Sequence, residues 1–176
     1  MVETNDRRLP VGIQSFEKIR KEGYLYVDKT DIIWQLANRN KTYHYLSRPR
    51  RFGKSVLVDT LEAYFLGKKE LFEGLKIMQM ETEWVKRPVI RLDMSRAGAE
   101  PETLRSYLNN IFRQYEKVYS LVPDPTDSLA DRFDAIIQTA YEQTGQQVAI
   151  LIDEYDSPLQ HSWKTPQHEA CTAIYR

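Results

Sequence analysis

The stretch that most constrains this chain is Tyr43-His44-Tyr45-Leu46-Ser47-Arg48-Pro49-Arg50-Arg51-Phe52-Gly53-Lys54-Ser55, with the amphipathic run Val56 to Leu66 behind it. It reads as a short buried strand over 43–47, a basic loop, and a helix that begins at Gly-Lys-Ser. That order of parts suits a phosphate. The first N–H groups of a helix have no partner inside it, and the helix dipole adds partial positive charge at the same end. Gly53 lets the backbone approach an anion, Lys54 reaches the terminal phosphates, and the Ser55 hydroxyl is a ligand for Mg²⁺. The glycine that opens such a loop belongs at position 48, where this chain has Arg48.

A second signal lies 98 residues beyond Ser55. Val148-Ala149-Ile150-Leu151-Ile152 is a continuous apolar run that ends in Asp153 and Glu154. Such a run predicts a strand buried on both faces of a parallel sheet. Acids at the carboxyl end of that strand fall in the ligand crevice of an open α/β sheet. Taken together and in this order, the two signals predict a nucleotide site.

Charge adds little to this. The chain has 25 Lys and Arg against 25 Asp and Glu, so no long-range attraction to nucleic acid or to an anionic membrane is expected from the total. The cluster Arg48, Arg50, Arg51 and Lys54 is local. A solvated patch or a nucleic-acid contact are its other readings, but its place between strand and helix favours phosphate. One cysteine, Cys171, leaves no internal disulfide to form and suits a reducing compartment. With no apolar run of membrane-spanning length and no apolar signal core near Glu3, Asp6, Arg7 and Arg8, a soluble cytoplasmic protein is expected. His161, His168 and Cys171 match no common zinc spacing.

In chain order, residues 1–9 are polar and expected to be flexible. Residues 10–42 form a lead-in segment packed on the core, with a helical turn over Glu17–Glu22, a small strand over Tyr24–Val27, and a helix over Asp31–Asn38. Thr30 is its expected cap, and Ile32, Ile33 and Leu36 its inward face. This segment supplies either packing or a pocket for the adenine base. The helix after the loop carries Leu57, Leu61, Tyr64 and Phe65 on one face and ends at Gly67, and a small helix over Leu71–Leu75 follows.

Beyond Pro88, Val89–Asp93 reads as the next strand, with Asp93 at its carboxyl end as a solvent-facing terminus or as a neighbour of the site. Two long helices follow, one with Leu104, Tyr107, Leu108, Ile111, Phe112 and Tyr115 at steps of three and four, the other with Leu129, Phe133, Ile136, Ile137, Ala140 and Tyr141. A last helix is expected from Thr165-Pro166. Strands alternating with helices predict an α/β fold with a mainly parallel sheet flanked by helices. Core strands are expected at about 43–47, 89–93 and 148–153. The pattern stops in mid-helix at Arg176, so a partial domain over 43–176 is expected.

The motifs carry a resemblance. Leu9-Pro10-Val11-Gly12-Ile13, Phe16, Tyr26-Val27-Asp28-Lys29-Thr30, then Leu46 to Ser55, then Ile152-Asp153-Glu154-Tyr155-Asp156 resemble the AAA-ATPase-like family of prokaryotes over almost the whole chain. In that family the Arg-Pro-Arg-Arg-Phe-Gly-Lys-Ser form of the loop is usual, so Arg48 in place of glycine is a family trait. The resemblance implies a P-loop NTPase domain of the additional-strand type that binds ATP with Mg²⁺. Its nucleotide-binding residues would be Arg48, Pro49, Arg50, Arg51, Phe52, Gly53, Lys54 and Ser55. Ser55 and Asp153 would hold the metal; Glu154, immediately after that aspartate, is suitably placed as the catalytic base, with a bystander acid as its other reading.

The resemblance further implies a restriction-nuclease-like domain following in longer members, and a homo-oligomer is a possible assembly. Arg50 and Arg51 either neutralise phosphate or pair with acids such as Asp156. Rival readings are a non-hydrolysing nucleotide-dependent switch for an attached or partner domain, a small-molecule kinase, and a structural or nucleic-acid module whose Gly-Lys-Ser is accidental.

Overall fold

The computed structural model describes residues 8–39, 43–49 and 51–175. They form two compact units that meet in sequence between Lys86 and Arg87. Most of the segment expected to be flexible, and Arg50 of the basic loop, lie outside the described residues.

The first unit is built from three helices and two 3-10 turns. Helix α1 (Phe16–Lys21) starts at Ser15, whose Oγ accepts the backbone N–H of Lys18 at 3.3 Å. Tyr24–Val27 is not the strand expected. Leu25 N–H donates to the Arg8 carbonyl at 2.9 Å, but no ladder follows. The Tyr26 ring instead packs edge-on against Phe16, with centroids 5.1 Å apart. Helix α2 (Thr30–Asn38) buries Ile33 completely but leaves Ile32 43% exposed. Neighbours in a helix point about 100° apart, so the expectation that both face inward was too generous.

Thr30 is not the cap either. It is the first residue of α2, and the acceptor that serves it is Asp28. Asp28 Oδ1 takes the Thr30 N–H at 2.9 Å and its O–H at 2.7 Å, while Oδ2 takes the Lys76 N–H at 2.8 Å. Thr30 Oγ1 in turn accepts the buried N–H of Ile77 at 3.1 Å. Burial pushes the Asp28 carboxyl up, but these donors from Thr30 and Lys76 outweigh it and hold the group below its ordinary value. The contribution to stability is therefore present above the unfolded-state pKa and is lost as pH falls through the lower folded-state one.

Thr30→Val, which keeps the shape and removes the hydroxyl, strands the Ile77 N–H. The expected cost is about 1–3 kcal/mol by urea denaturation. A change within about 0.5 kcal/mol, the range of an ordinary surface substitution, would show that the clasp contributes little.

Helix α3 (Lys54–Phe65) places Leu57, Leu61 and Tyr64 against a core of Phe16, Ile33, Ala63, Leu71, Phe72, Leu75 and Ile77. Gly67 follows the helix, as expected. The small helix expected at Leu71–Leu75 is replaced by 3-10 turns at Lys69–Phe72 and Lys76–Gln79, on either side of Gly74.

The largest departure concerns 43–47. These residues form no strand, and Tyr43 and Tyr45 are 91% and 71% exposed. A strand needs a partner for its ladder, and the first unit holds none among its described residues. The β preference of this tyrosine-rich run is therefore not realised.

The second unit holds the sheet. Strands β1 (Val89–Asp93) and β2 (Ala149–Asp153) pair in parallel, with Val89 opposite Ala149 and Asp93 opposite Asp153. Between them the chain runs through α4 (Pro101–Val118) and α5 (Leu129–Thr144), the two helices read from the sequence. Pro101 opens α4, and Ser128 with Asp131 forms a reciprocal capping box at α5. This mixture of helices with a two-stranded parallel sheet is consistent with an α/β fold.

Two donors on the outer edge of β1 are taken by side chains. Arg91 N–H donates to the Tyr115 hydroxyl at 2.7 Å and Asp93 N–H to the Tyr107 hydroxyl at 3.0 Å, both from α4. Strand β2 differs from expectation. Its Ile150 and Ile152 are 40% and 46% exposed, so it is not buried on both faces. The core around Ile90, Leu92, Leu104, Phe112 and Ile136 covers β1 and does not extend to them.

A buried ion pair ties the two long helices together. Arg132 of α5 donates to both oxygens of Glu116 on α4 at 2.7 and 3.0 Å, and also to Asn109 Oδ1. The chain then forms α6 (Ser157–Ser162) and α7 (His168–Ile174). Helix α6 was not expected, although Ser157-Pro158 is a start signal. The last helix begins three residues after Thr165. Among the described residues no helix is long and apolar enough to cross a membrane.

Candidate nucleotide site

The described end of the basic loop, Arg51 to Gly53, leads into α3. Arg48 and Pro49 are exposed, Arg51 has φ 67°, and Phe52 is 70% exposed. Gly53 is the N-cap of α3, at φ 75° and ψ 20°. A Cβ there would meet no atom within 4 Å, so the dihedral and not crowding is what calls for glycine. A left-handed residue followed by a right-handed helical one turns successive N–H groups, here those of residues 53–55, toward one point. That concavity favours an anion. Among the described residues no side chain caps this helix start.

Lys54 folds back across the loop. Its Nζ donates to the Arg48 carbonyl at 3.2 Å, six positions back along the chain. Position 48, where the sequence lacks the expected glycine, thus supplies a backbone carbonyl, which arginine offers as well as glycine does. Ser55 is half-buried in the first turn of α3.

The second group of candidate residues belongs to the other unit. Asp153 ends β2 and is only 7% exposed, and its Oδ1 accepts the Glu154 N–H at 3.0 Å. Glu154 has φ 48°, a conformation that a side chain makes costly, and its carbonyl accepts the Ser157 N–H at 2.9 Å. The register puts Asp93 beside Asp153 at the carboxyl end of the sheet. Asp93 Oδ1 is engaged locally, accepting from Ser95 N–H at 3.2 Å and Ser95 Oγ at 2.6 Å. Asp156, considered as a partner for the loop arginines, accepts from Gln160 Nε2 at 2.5 Å.

The side chains considered for zinc have separate partners. His161 Nδ1 lies 3.2 Å from Ser157 Oγ, His168 Nδ1 lies 3.2 Å from Ser162 Oγ, and Cys171 donates to the Ala99 carbonyl. No group of three or more His, Cys, Asp or Glu among the described residues could hold a metal by itself. Sequence reading missed Asp28 and Asp59, whose carboxylates fasten the lead-in to its surroundings. Their signal was faint, since single acids within helical or turn patterns read as solvated.

A family model described as Predicted AAA-ATPase, AAA-ATPase_like, matches residues 10–176, and the chain belongs to that family. It is also similar to an uncharacterized protein in the vnfD 5' region of Azotobacter chroococcum mcd 1. The two are 35% identical over 164 residues, which is 92% of this chain and 31% of that protein. The chain therefore spans about a third of the curated relative it matches. No solved structure matches it.

Proposed function

We propose that this chain is a P-loop domain that binds ATP with Mg²⁺ and hydrolyses it slowly. The observation that carries this reading is the loop at 48–55, where a left-handed Gly53 opens α3 and Lys54 curls back on Arg48. The N–H groups of residues 53–55 and the Lys54 ammonium hold the β- and γ-phosphates. Arg50 and Arg51 offset the remaining phosphate charge.

Ser55 and Asp153 are hard oxygen donors of the kind Mg²⁺ takes. With only one or two protein ligands plus phosphate oxygens, Mg²⁺ needs no dedicated cage of acids. When bound, Mg²⁺ neutralises charge on the phosphate oxygens. Glu154 orients the attacking water and accepts its proton as the bond between the β- and γ-phosphates breaks and ADP leaves. Little covalent chemistry is asked of the protein in such a transfer, so positioning and charge carry the rate. The reading requires residues 53–55 and 153–154 to act on one triphosphate.

Titration with ATP and Mg²⁺, followed by phosphate release, tests it. Glu154→Gln is expected to keep ATP affinity within about threefold and to lower turnover by on the order of 10²–10⁴, the usual share of a general base. Undiminished hydrolysis in that variant would remove Glu154 from the role.

A further inference from the structure

We infer that Asp59 is a positioning residue for the nucleotide loop, acting through α3, an inference that rests on the ATP reading above. Asp59 lies one turn beyond Ser55, and residues four apart share a face of a helix. Its Oδ2 accepts the N–H of Phe16 at 2.6 Å. Phe16 is the first residue of α1, so this N–H is one that a helix leaves without an internal partner. Ser15 does not serve it, since its Oγ takes the N–H of Lys18. The α3 carboxylate thus completes the start of α1.

What Asp59 grips is itself held by packing. Phe16 is fully buried, with ring centroids 5.1 Å from Tyr26 and 4.9 Å from Phe72. A second tie between the same two parts lies just past the far end of α3, where Lys68 Nζ meets Glu17 Oε2 at 2.7 Å. Thr60, next to Asp59 and fully buried, donates its hydroxyl to the Val56 carbonyl at 2.7 Å within α3. One tie at mid-helix and one past its end fix the rotation of α3 about its axis. That rotation decides where the Ser55 hydroxyl points. A displacement of about 1 Å in a reacting group can cost on the order of 10²-fold, so the lead-in tunes the loop without touching nucleotide.

The test compares Asp59→Ala, and Asp59→Asn as the variant that keeps an acceptor, in the full chain. Two quantities are read: ATP affinity with and without Mg²⁺, and amide hydrogen exchange over residues 53–58 of the nucleotide-free protein. Asp59→Ala is expected to weaken Mg²⁺-ATP binding about tenfold and Mg²⁺-free binding less. Exchange over 53–58 should quicken while α4 and α5 keep their protection, and Asp59→Asn should recover most of both losses.

Unchanged exchange over 53–58 in folded Asp59→Ala overturns the inference. So does an equal loss of binding with and without Mg²⁺ accompanied by loosening throughout the first unit, which is plain destabilisation. If the wild-type chain binds no ATP, the ATP reading fails, and the exchange measurement alone decides whether Asp59 braces the loop. Should Asp59→Ala not fold, Asp59→Glu takes its place. It is one methylene too long for the observed contact, and the same two outcomes support or overturn.

Discussion

Lys54→Ala is expected to abolish ATP binding at concentrations that saturate the wild-type chain. Two contacts go at once. One is the ammonium's charge-assisted bond to phosphate, of a kind worth roughly 1.5–3 kcal/mol. The other is its bond across the loop to the Arg48 carbonyl at 3.2 Å, which holds the loop ready before nucleotide arrives. Together these predict a rise in Kd of about 10²-fold or more. Isothermal titration calorimetry reads the effect, with thermal unfolding as a control for the fold. Lys54→Arg keeps the charge but not the compact ammonium geometry and should fall in between. Full affinity in Lys54→Ala would move the phosphate site elsewhere in the chain.

The largest effect on stability is expected at the ion pair between α4 and α5. Arg132 is 9% exposed and Glu116 4% exposed, and the two meet through both carboxylate oxygens. The Arg132 guanidinium also lies 5.8 Å from the centre of the Phe112 ring, which stacks on Phe133. Glu116→Ala leaves that cation buried with Asn109 as its remaining hydrogen-bond acceptor among the described side chains. The cost of removing one partner from such a pair is about 3–5 kcal/mol, a large share of the roughly 5–15 kcal/mol that holds a domain folded. Urea denaturation reads it directly. Replacing both partners, Glu116→Leu with Arg132→Met, should cost far less, because no charge is left without its counterion. Equal losses in the single and double variants would show that packing, not charge, sets the value of the site.

The helices were largely legible in the sequence, for a physical reason. In α3, α4 and α5 the apolar side chains recur at helical spacing, and Gly67, Pro101 and Gly145 mark their boundaries. Such information is local. The strands were legible only where both partners lie in one unit, as with Val89–Asp93 and Ala149–Asp153. Tyr43–Ser47 has the composition of a strand and is none, because pairing depends on what lies alongside and no local pattern encodes that. The same limit hid the role of Asp28 and Asp59. Their hydrogen bonds reach Lys76 and Phe16, 48 and 43 residues away. The loop itself could be read from Gly53 to Ser55, whereas the return of Lys54 to Arg48 could not. Sequence spacing says which groups are available and not which of them meet.

The tyrosine hydroxyls on β1 bear on where the sheet can grow. Tyr107 and Tyr115 occupy the N–H groups of Asp93 and Arg91, two of the donors on the β1 flank. The Ala149 N–H reaches inward to the Pro88 carbonyl, so alternation along β2 turns the amides of Ile150 and Ile152 the other way. A strand added on the β2 flank would meet those amides, and it would run beside the strand that delivers Asp153 and Glu154.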